Sequence, residues 1–81
     1  MDRDAVASVL LRVIERRVRR AQEVTYRVMS TLGGNLPGFE EGIRGLFARE
    51  RARFDSQVEL WPADIRSYVT ALAAPVFEEQ P

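Results

Sequence analysis

From Asp4 to Leu32 the chain contains neither Pro nor Gly, and its apolar residues recur at helical spacing. Val6, Leu10, Val13, Ile14, Val18, Ala21, Val24, Val28 and Leu32 follow one another at steps of one, three and four, which is the pattern of one helix face. Asp2 or Asp4 can cap the start and complement the helix dipole. Gly33 suits the left-handed position that ends a helix. This predicts one helix over residues 4–32, about 28 residues and about 42 Å long. That is more than twice the usual helix length of roughly 10–14 residues. A compact domain of this size is only about 25 Å across. The helix therefore outruns the body that the remaining chain can build, so its end either projects or packs against another chain.

The residues after it read as shorter helices. Gly33-Gly34-Asn35-Leu36-Pro37-Gly38 is a turn segment, because each of these residue types favours a bend. A second helix starts near Phe39, with Glu40 and Glu41 in its first turn and Phe39, Ile43, Leu46 and Phe47 on its apolar face. Gly42 and Gly45 weaken it by about 1 kcal/mol each relative to Ala. The apolar rhythm continues through Phe54, Val58 and Trp61, compatible with one helix to Leu60 or with two. Pro62 ends it and suits the first turn of a last helix with Ile65, Tyr68, Val69 and Leu72 on its stripe. Pro75 is expected to stop that helix. The expected fold is all-α: a small bundle of three or four helices with one long N-terminal helix. Residues 1–75 are read as a single helical domain and 76–81 as a flexible acidic tail.

Composition narrows the means of support. The chain has 81 residues and neither Cys nor His. A domain this small buries only about 60–65% of the surface its unfolded chain exposes. Disulfides and structural zinc sites built from thiolate or imidazole are both excluded, which leaves self-association or very regular helix packing. A hydrophobic fraction of 46% excludes a disordered chain. The N-terminus lacks the basic start and apolar core of a secretory signal, and no apolar run approaches a membrane span. A cytoplasmic location with no membrane partner is the expectation.

Catalytic candidates are few. Without Cys or His the usual nucleophile–base pairs cannot form. Glu40 and Glu41 point about 100° apart on a helix and do not converge. Gly33-Gly34 is followed by no Lys-Ser or Lys-Thr of a phosphate loop. The chain is read as a non-enzyme with no cofactor and no metal.

Two binding faces stand out on the first helix. All twelve cations are Arg and are balanced by twelve acids. Arg12, Arg16, Arg19, Arg20 and Arg27 fall opposite the apolar stripe, with Glu15 and Glu23 on or beside it. Such a face suits a phosphate backbone, and no aromatic is read as interleaved on it for base stacking. The competing reading is a solvated face laced with Glu15–Arg19 and Glu23–Arg27 pairs. Arg17 falls inside the apolar stripe, where it either snorkels to the edge or pairs with a carboxylate across an interface, with Asp55, Glu59 or Asp64 as candidates. Trp61 and Tyr68 are residue types common at interface hot spots and equally common in small cores. The candidate interface is Val6, Leu10, Val13, Ile14, Arg17, Trp61 and Tyr68. The leading expectation is a protein–protein interaction module that self-associates, as a homodimer, through the first helix. The alternative is a nucleic-acid-associated regulator using the arginine face.

Several blocks also carry a family resemblance. Ala21-Gln22-Glu23, Tyr26-Arg27-Val28-Met29-Ser30, Leu36-Pro37-Gly38-Phe39-Glu40-Glu41, Leu46-Phe47-Ala48, Arg51-Ala52-Arg53-Phe54 and Trp61-Pro62-Ala63-Asp64-Ile65-Arg66 follow in order. Together they resemble the C-terminal part of an uncharacterised bacterial family catalogued as domain of unknown function 2239. The resemblance covers about Arg20 to Pro75 and implies no assigned activity. Longer members of that family have a basic, strand-like N-terminal segment similar to the start of a ribbon-helix-helix unit. This sequence lacks that segment, and its Ala7–Arg17 stretch is similar to the helix after it. The family more often shows Gly-Asp at Arg49-Glu50 and Ala at Gly42 and Gly45. The resemblance implies a helix break near residue 49.

Overall fold

A computed structural model describes residues 2–78, and all regular structure in them is helical. The order is α1 (Arg3–Gly33), α2 (Phe39–Ala48), α3 (Arg51–Val58) and α4 (Ala63–Glu78). Asp2 caps α1, its Oδ1 accepting from the Ala5 amide at 2.8 Å. At 31 residues α1 is about 46 Å long, and it sets the long dimension of a 49 × 22 × 18 Å molecule.

α4 lies antiparallel against the C-terminal half of α1. Trp61, just before α4, meets Gly33 at the end of α1, and Glu78 at the other end of α4 meets Arg17. α2 and α3 form a helical hairpin packed on this pair. The core of Val18, Met29, Leu46, Phe54, Val58, Trp61, Val69, Ala73 and Val76 draws on every helix.

The break near residue 49 is present. Arg49 takes a left-handed conformation, φ 61°, and the next amide, Glu50, donates back to Gly45 O at 2.9 Å. This is the geometry of a helix stop that Gly adopts without steric penalty. Gly45 lets α3 cross close to α2, since a Cβ on it would stand 2.7 Å from the Phe54 amide nitrogen. Glu41 and Arg53 clasp the hairpin from outside, Arg53 Nε and Nη2 donating to Glu41 Oε2 at 3.2 and 3.0 Å.

Three expectations are corrected. Gly33 is the last helical residue of α1 rather than a left-handed cap, and Gly34 after it is right-handed. The left-handed glycine is Gly38, φ 80°, which caps α2. Pro75 does not stop the last helix, which runs to Glu78 and takes residues 76–78 out of the expected tail; residues 79–81 lie outside those described. A Pro inside a helix costs about 3 kcal/mol. Val76 is fully buried and Phe77 packs its ring on Phe54 at 5.5 Å. The full burial of Val76 and the partial burial of Phe77 work against that cost.

The apolar stripe is corrected as well. The face of α1 that meets the bundle runs through Ile14, Val18, Ala21, Thr25, Val28, Met29 and Gly33. It takes in a Thr and a Gly and leaves Val24 and Leu32 in solvent. Arg17 sits off this face with its side chain 59% exposed, and its partner is Glu78, at 3.4 Å, rather than Asp55, Glu59 or Asp64.

Candidate functional site

The start of α1 projects beyond the bundle. α4 reaches only to the level of Arg17, and every residue from Asp2 to Val13 is exposed. Val6, Val9, Leu10, Leu11 and Val13 are 40–58% exposed there. Their spacing puts Val6, Val9, Leu10 and Val13 on one side of the helix. These side chains form an apolar row that the bundle does not cover. Among the sequence-chosen interface residues, Val6, Leu10 and Val13 lie on this projection. Ile14 is half-buried where the projection enters the bundle.

Trp61 belongs elsewhere. It is 3% exposed, its ring lies over Gly33, and its Nε1 donates to Pro37 O at 2.8 Å. This removes Trp61 from the interface candidates: its ring and its one polar atom are both satisfied inside the fold. Tyr68 is more than half exposed on α4. The close ring pairs are instead Phe54–Phe77 in the core and Tyr26–Phe47 at the surface.

The arginine face is exposed along its length: Arg12, Arg16, Arg19, Arg20 and Arg27 all lie in solvent. Neither Glu15–Arg19 nor Glu23–Arg27 is closed. The ion pairs among the described residues join Arg17 to Glu78, Arg44 to Glu41, Arg51 to Asp55, and Arg53 to Glu41 and Glu50. The expected lacing of this face is therefore absent.

Beside the arginines lies a feature the sequence reading missed. Tyr26 of α1 and Phe47 of α2 meet edge to face at 6.0 Å and 66°, and each is almost half exposed. Gln22 holds this arrangement, its Nε2 donating to Leu46 O at 3.2 Å and Phe47 O at 3.5 Å, so that the end of α2 is tied to α1. Shallow clefts flank the rings. Glu15, Arg19, Gln22, Phe47 and Arg49 line one; Glu23, Tyr26 and Arg27 line the other. Tyr26 falls on the polar side of the periodic pattern, and an aromatic among charges there was the available signal.

The described residues contain no cluster of three or more His, Cys, Asp or Glu suited to a metal. A groove between α3 and α4 is open to solvent; of its charged groups, Asp55 pairs with Arg51 and Arg66 donates to Glu59 O. No helix among the described residues is long and apolar enough to cross a membrane.

The model of a bacterial protein family, described as "Uncharacterized protein conserved in bacteria (DUF2239)", matches residues 8–73. No curated protein and no solved structure matches the chain.

Proposed function

The chain belongs to this uncharacterised bacterial family, DUF2239, and on that premise we propose that it is a non-catalytic, cytoplasmic interaction module whose projecting α1 segment pairs with a second copy of itself. The observation that carries the reading is the exposed row Val6, Val9, Leu10 and Val13 beyond the end of α4. Charge favours an antiparallel pairing. Asp2 and Asp4 stand at the start of the segment and Arg16 at its end, so antiparallel copies set acids against arginine and oppose their helix dipoles.

The size of the contact sets its strength. A segment of about 16 residues is about 24 Å long and about 10 Å wide, so two of them cover on the order of 500 Å². That is well below the roughly 1,600 Å² of a standard stable interface. The expected association is weak and concentration-dependent. Sedimentation velocity between about 5 µM and 500 µM tests it. A rise from monomer to dimer that is lost in Leu10→Asp supports the reading. A monomer at every concentration overturns it.

A further inference from the structure

We propose that the arginine face of α1 and the Tyr26–Phe47 ring pair beside it form a docking surface for single-stranded nucleic acid. Five Arg against two Glu leave about +3 on this face of a chain whose formal net charge is zero. Those five arginines close no ion pair among the described residues, so their forks are available to an incoming anion. Arg suits phosphate because its planar guanidinium can donate two parallel hydrogen bonds.

The rings select the form of the nucleic acid. Tyr26 and Phe47 are 45% and 48% exposed, and at 66° to one another they present differently oriented surfaces. Unpaired bases can splay and stack on such surfaces, whereas the bases of a duplex are already stacked on their neighbours. Cations stand on both sides of the rings, Arg19 in one cleft beside Glu15 and Arg27 in the other beside Glu23. A strand laid across the pair meets phosphate partners before and after its stacked bases. An acidic polypeptide would satisfy the arginines but supply no planar group for the rings. Arg19, Arg20, Arg27 and the ring pair lie on the part of α1 backed by the bundle, whereas Arg12 and Arg16 lie on the segment proposed to self-associate.

The test is fluorescence anisotropy with a labelled 15-nucleotide single strand of mixed sequence, made as DNA and as RNA, beside the duplex of the same sequence. Binding of at least one single strand at about 50 mM salt, tighter than the duplex, is expected. With three to five phosphates neutralised, log K against log salt should fall with a slope of about −2 to −3.5. Tyr26→Ala and Phe47→Ala should each weaken binding by roughly 5- to 150-fold, with helix content checked by circular dichroism. Arg19→Glu combined with Arg27→Glu, both at exposed positions, should abolish it. No single-strand binding at about 50 mM salt overturns the proposal. So does a duplex bound equally well, polyglutamate competing as strongly as the single strand, or a folded ring variant that binds like the wild type.

Discussion

The Trp61 ring closes over Gly33 so tightly that a Cβ on Gly33 would stand 2.9 Å from ring carbon Cζ3. The ring has little room to yield, because its Nε1 is tied to Pro37 O at 2.8 Å. Gly33→Ala should therefore destabilise the fold, although Ala is the better helix former by about 1 kcal/mol. Overpacking costs about 1–3 kcal/mol, so a net loss of up to about 2 kcal/mol is expected. Trp61→Phe should lose about 1 kcal/mol by removing the bond from Nε1 to Pro37 O. Urea unfolding followed by circular dichroism measures both, and a stabilised Gly33→Ala would contradict the close packing.

Gly42 and Gly45 occupy one short helix and should respond in opposite directions. A Cβ at Gly42 meets Met29 and Gln57 at 3.5 and 3.6 Å, ordinary contact. Gly42→Ala should stabilise by about 0.5–1 kcal/mol. At Gly45 the same atom would meet the α3 backbone at 2.7 Å, and Gly45→Ala should destabilise by about 1–3 kcal/mol. Thermal unfolding of the two variants side by side decides this.

Thr25 is fully buried on the bundle face of α1, and its Oγ1 has no hydrogen-bond partner among the described residues. An unsatisfied buried hydroxyl costs about 1–3 kcal/mol. Thr25→Val keeps the shape and the branched Cβ while removing the polar atom. A gain of about 1 kcal/mol in denaturant unfolding is expected; a loss would mean that the hydroxyl is satisfied.

The ion pairs should differ in weight. Arg17 and Glu78 meet at 3.4 Å with side chains 59% and 52% exposed, so Glu78→Gln should change stability by less than about 0.5 kcal/mol. Glu41 receives two donors from Arg53 and a third from Arg44. Glu41→Gln should cost about 1 kcal/mol, and most of that difference should vanish in about 1 M salt. Unfolding at two salt concentrations separates the cases.

Leu10 is 56% exposed outside the bundle. Leu10→Asp should leave the melting temperature unchanged at about 5 µM and remove its dependence on protein concentration. A drop in melting temperature at low concentration would show that the segment supports the monomer.

The sequence by itself determined the local elements. The stretch without Pro or Gly made α1, the turn residues before Gly38 ended it, and Pro62 set the start of α4, because caps and breakers act over one or two turns. Periodicity also foretold that α1 would outrun its partners. Tertiary structure decided which side of α1 is inside. Thr25 and Gly33 were chosen over Val24 and Leu32, because burial depends on what lies across the face. It carried α4 through Pro75, where the full burial of Val76 and the partial burial of Phe77 work against the local penalty. It turned Arg17 outward to Glu78 and Trp61 inward onto Gly33. It also set Phe47 against Tyr26, a contact that exists only because α2 returns across α1. Such contacts join residues far apart in the chain, and a periodic pattern reports only its own helix.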